Sequence, residues 1–116
     1  MNPTQTHPLE VSNGVTLKIR KLAYTKHSRL MTMAELREGD IASGVRYSLL
    51  VARACIDSAT DKNGEEFKLD RERMKPFDSV LTEDALDTLP LEEADFKKIV
   101  DMAAPDGSAT ATEGKS

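Results

Sequence analysis

The side chains that could do covalent or metal chemistry are few and far apart. The chain has one cysteine, Cys55, and two histidines, His7 and His27. A nucleophile needs a base within hydrogen-bond reach and a third group to orient it. Cys55 lies in an apolar run, so it reads as a small core residue. A structural zinc site needs about four Cys or His ligands, more than the chain holds. Asp61-Lys62-Asn63-Gly64 shares residue types with a calcium loop. Aligning Gly64 to the loop glycine, however, puts Ala59 where the first carboxylate belongs and Asp70 where a bidentate Glu is required. The glycines form no phosphate-cradling spacing, and Gly114-Lys115-Ser116 has no helix after it. The acidic pairs Glu65-Glu66, Glu83-Asp84 and Glu92-Glu93 fall on expected turns or first helical turns, where they complement backbone N–H groups. No catalytic residue, metal site or cofactor is assigned.

Those residues belong to a chain of 116 residues, enough for one modest core and little space for a deep pocket. With 16 Lys plus Arg against 20 Asp plus Glu, the net charge is −4. That balance argues against nucleic acid as the main partner, because such affinity rests on neutralising phosphates. No apolar run is long enough to cross a bilayer, and Met1–Pro8 lacks the blocks of a signal peptide. A reducing cytoplasm is the expected compartment.

Three segments are expected. Residues 1–13, with only Leu9 and Val11 as apolar anchors, read as a flexible arm, and 105–116, without a bulky apolar residue, as a disordered tail. Between them, 14–104 reads as one α+β domain, predominantly helical, with one N-terminal strand, a small β-hairpin and about four helices. Val15, Leu17 and Ile19 alternate with Thr16, Lys18 and Arg20, a strand pattern entered through a turn at Asn13-Gly14. Leu30, Met33 and Ala34 mark a first helix, capped by Thr25 or Ser28 and closed by Gly39. Ile41, Val45, Leu49, Ala52 and Ile56 form the apolar seam of a central helix after Asp40. Asn63-Gly64 predicts a hairpin turn with positive φ at both residues, protruding on short polar arms. Residues 70–78 are charged and broken by Pro76. Thr82 caps a short helix, and a last helix directs Leu91, Phe96, Ile99, Val100 and Ala103 inward.

This order of elements, the basic strand ending Ile19-Arg20-Lys21-Leu22-Ala23-Tyr24, the core segment Val45–Ile56, the Asn63-Gly64 hairpin with Phe67 and the closing acidic stretch Leu81–Phe96 resemble the tail assembly chaperones of long-tailed bacteriophages. The resemblance spans residues 14–104. It implies a non-catalytic protein of the host bacterial cytoplasm, absent from the mature virion. Its partners are then the tape measure protein, which it keeps soluble, and the major tail protein, which it recruits for tube assembly. In that family a frameshifted longer form often does the recruiting. The resemblance carries over no binding motif, so the surface follows from physics. An apolar-patterned helical client needs an exposed apolar groove. The first helix supplies Leu30, Met31, Met33 and Leu36, with Tyr24 beside them. Basic Arg20, Lys21 and Arg29 lie towards one end of the sequence and acidic Glu83, Asp84 and Asp87 towards the other, which suits head-to-tail self-association into an array. The alternatives are a structural virion component, such as a head–tail connector or tail terminator, and a small regulatory protein-binding module.

Overall fold

The structure, a computed structural model, describes residues 5–105. The disordered tail expected at 105–116 lies, apart from Pro105, outside those residues, as does the start of the arm. The rest of the arm is ordered, correcting the reading of 1–13. Strand β1 (Thr6–Glu10) pairs antiparallel with β2 (Thr16–Arg20), Leu9 opposite Leu17, and β3 (Ile56–Thr60) completes a sheet in the order β1-β2-β3. Two apolar anchors suffice because β2 offers a ready hydrogen-bonding edge, and Pro8 is tolerated on an outer strand. The turn between β1 and β2 has positive φ at both Asn13 and Gly14 (63° and 76°).

Helix α1 (Tyr24–Met33) leads into α2 (Ile41–Cys55), which runs directly into β3. The Asn63-Gly64 turn exists but is built differently from the expectation: only Gly64 has positive φ. Asp61 Oδ1 accepts from the N–H groups of Asn63 and Glu65 at 2.8 and 2.9 Å. The turn is no free ribbon, since its first arm is β3 and its second keeps one bridge, Thr60 to Glu66. The second hairpin lies where a charged, Pro-broken stretch was expected. There β4 (Arg71–Met74) pairs with β5 (Phe77–Leu81) around Pro76, burying Phe77, Val80 and Leu81. Helices α3 (Glu83–Thr88) and α4 (Glu93–Ala103) follow. With five strands in two antiparallel sheets and four α-helices, the fold is mixed α+β rather than predominantly helical.

Helix α2 is the hub, packing against α4, β5, α1 and α3. Its inward face is not the seam expected from hydropathy. Ser43, Tyr47, Val51, Ala54 and Cys55 are buried, as is Ala52, whereas Ile41, Val45 and Leu49 are exposed. The N-terminus explains the rotation. Asp40 caps Ser43 N–H, and the buried Ser43 hydroxyl donates to Asp40 O at 2.8 Å and accepts from Arg37 N–H at 3.0 Å. A polar network satisfied in this way holds Ser43 inside, and Ile41 and Val45, each two residues away, fall on the opposite side.

Polar clamps join the layers. Arg71 donates to Ser79 Oγ and to the carbonyls of Ile56 and Asp57, tying the two sheets together. Asp95, 1% exposed, receives Ser12 N–H and Ser12 Oγ on one oxygen and Glu92 N–H on the other, binding the β1–β2 turn to the start of α4. Burial opposes its charge, but those donors and nearby Lys98 outweigh it and hold the carboxyl below its ordinary range.

Candidate functional site

Helix α1 begins without a side-chain cap: Ala23 occupies the cap position, and Thr25 and Ser28 lie inside the helix. Its end shapes the surface. Glu35 takes a left-handed conformation (φ 53°), with Glu35 N–H donating to Thr32 O and Leu36 N–H to Met31 O, both 3.0 Å. This is a Schellman closure with Glu where glycine is usual. It turns Leu36 back over the last turn, beside Met31. Ser28, Met31, Thr32, Glu35, Leu36 and Arg37 line a shallow open depression of about 430 Å³.

Of the predicted apolar contacts, Met31 and Leu36 meet in this depression. Tyr24, one helical repeat before Met31, is 69% exposed on the same face. Met33 is also exposed but lies outside the depression. Leu30 is a correction: at 0% exposure it anchors α1 in the core and touches no partner. Met31 and Met33 flank the buried line of Leu30 and Ala34, and neither turns fully inward.

The opposed charged ends also change. Arg20 pairs with Asp57, and Lys21 Nζ donates to the carbonyls of Met102 and Ala104 at the end of α4. Both basic residues therefore serve the fold, which corrects their place in a contact surface. Arg29 is exposed, as are Glu83, Asp84 and Asp87, with Glu83 3.9 Å from Arg53.

Ile41, Val45 and Leu49 form an apolar stripe that hydropathy assigned to the core. Ile41, at 84%, has the greatest exposure of any large apolar residue described. The stripe faces away from α1, because α2 meets α1 through Tyr47, whose ring stands edge-on to His27 at 6.0 Å, and through Arg46 Nε, which donates to Ala34 O. The one sequence signal for this arrangement was Asp40 three residues before Ser43, a cap pairing that fixes which side of α2 turns inward.

The site has no arrangement for acid–base or nucleophilic chemistry. Burial pushes the Cys55 thiol up to about 12, against a smaller opposing effect of Arg20, and desolvation lowers His27 below its ordinary value. Among the described residues, no three His, Cys, Asp or Glu side chains converge as metal ligands, and no helix is long and apolar enough to cross a membrane. What the surface can do is hold an apolar side chain beside polar neighbours. No family model, curated protein or solved structure matches the chain.

Proposed function

We propose that the protein is a non-catalytic chaperone of phage tail assembly, acting in the bacterial host cytoplasm and leaving before the particle is complete. The observation that carries this reading is the set of large apolar side chains left uncovered around α1: Tyr24, Met31 and Leu36 on a face with a depression open to solvent. An exposed apolar patch bordered by Ser28, Thr32 and Arg37 has the chemistry of a seat for an amphipathic helix. Methionine suits a client whose side chains vary along its length, because the thioether adapts its shape. The client in this reading is the tape measure protein, with the major tail protein as the recruited partner. The Ile41–Val45–Leu49 stripe gives each copy a second apolar face, so successive copies could shield different sides of one long client.

Co-expression with the tape measure protein tests the reading. The expected result is a soluble client in the presence of this chain and an insoluble one without it. The double variant Met31→Ser, Leu36→Ser should fold normally and lose that effect. A client that stays insoluble with the wild-type chain overturns the reading, and retention of the chain in purified particles favours a structural virion component.

A further inference from the structure

We infer that the α1 face selects amphipathic helices whose apolar stripe is bordered by acidic residues. The inference deepens the chaperone reading and rests on it for the kind of client, but its argument is electrostatic. In a chain of net charge −4, the surface around α1 carries the opposite sign. Lys26, Arg29 and Arg37 belong to α1 and its exit, and Arg46 reaches in from α2, against Glu35, Glu38 and Asp40. Asp40 is already engaged as the cap of α2. Arg37 lines the depression itself, and Arg29 stands exposed on the flank of the face that carries Met31. A helix laying Leu or Met side chains over Met31 and Leu36 brings its own flanking residues beside these two guanidinium groups. Carboxylates there gain charge-assisted contacts, whereas ammonium groups are repelled.

A second copy of this chain does not meet that description. The acidic helix α3 turns its apolar Ala85 and Leu86 into the core, so its exposed side has charge without an apolar stripe. The stripe of α2 has apolar residues, but its neighbour along the helix is Arg46. The fitting occupant is thus a different polypeptide.

The test uses two synthetic helices of about five turns (~18 residues) with the same Leu/Met stripe, one flanked by Glu and the other by Lys. Binding to the full chain is followed by fluorescence anisotropy at low and high salt. The Glu-flanked helix should bind about fivefold or more tighter at low salt, and the advantage should shrink at high salt. Arg29→Ala with Arg37→Ala, both exposed and remote from the core, should remove the preference, while Met31→Ser should weaken both helices. Equal binding, a preference for the Lys helix, binding of neither helix, or a preference that survives loss of both arginines overturns the inference. Its failure is separable from failure of the chaperone reading. A chain that solubilises the tape measure protein yet binds neither helix loses only the inference, and one that selects the Glu helix but leaves that client insoluble loses only the reading.

Discussion

Replacing Asp95 tests how far this small fold depends on one buried carboxylate. Asp95→Ala removes the acceptor for three donors: Ser12 N–H at 3.2 Å, Ser12 Oγ at 3.1 Å and Glu92 N–H at 2.8 Å. The Ser12 hydroxyl can rotate to another acceptor, but the two backbone donors cannot. The Glu92 bond is half of the capping box that starts α4, a contribution of ~1 kcal/mol. The Ser12 N–H loses a charged partner in a partly buried site, at a cost of about 1–3 kcal/mol. Together these give about 2–4 kcal/mol, a large part of the 5–15 kcal/mol typical of a domain. The expected fall in Tm is of order 10–20 °C for a unit of this size. The sign with pH is fixed by the lowered folded-state pKa. Stability from Asp95 is fully present above the unfolded value near 3.9 and is lost as pH falls through the lower folded value. Urea unfolding of wild type and Asp95→Ala at pH 7 should therefore show the full gap, and the gap should close as the pH is taken below about 3. A gap under about 0.5 kcal/mol at pH 7, or one unchanged in acid, refutes the account. Ser12→Ala combined with Asp95→Ala should be less than additive, since both remove one contact.

Gly14→Ala should destabilise by about 2–3 kcal/mol, because φ is 76° and an added Cβ would stand 2.8 Å from the Lys62 Cβ; thermal melting checks it. Glu35→Gly should stabilise by ~0.5 kcal/mol, the relief of a left-handed side-chain residue less the entropy glycine adds to the unfolded chain, and an unchanged or lowered urea midpoint contradicts this. Cys55 should resist a thiol reagent at pH 8 in the native protein and react fully in denaturant, given its burial and a pKa pushed up to about 12. Native labelling at the rate of a free thiol would show that α2 opens readily.

Local rules were legible where one residue type has one structural use. Thr82 caps α3 by accepting Ala85 N–H, Val15, Leu17 and Ile19 point into the core, and Ile99 and Ala103 anchor α4. The chain was harder to read where a partner decides the outcome. Thr6–Glu10 is a strand because β2 lies beside it, and Arg71–Met74 becomes one through pairing with β5, although neither has the apolar alternation that announces a strand. The rotation of α2 was hidden for a different reason. Ile41, Val45 and Leu49 are more hydrophobic than Ser43, and hydropathy ranks them for the inside, but a hydrogen-bonded serine at the cap overrides that ranking. Half of the candidate surface was legible for the converse reason: two methionines two residues apart on a helix cannot share one inward line, so at least one had to face out.

The clamp at the end of α4 determines where anything attached to this chain would emerge. Leu22 N–H donates to Ala103 O, and Lys21 Nζ holds Met102 O and Ala104 O. The last described residues therefore leave the fold beside the short link into Tyr24 and α1. A client helix fused after the C-terminus would need only a short tether to reach Met31 and Leu36, at a local concentration in the millimolar range. A contact too weak to isolate between separate molecules becomes, in that single chain, an intramolecular one that thermal melting can read.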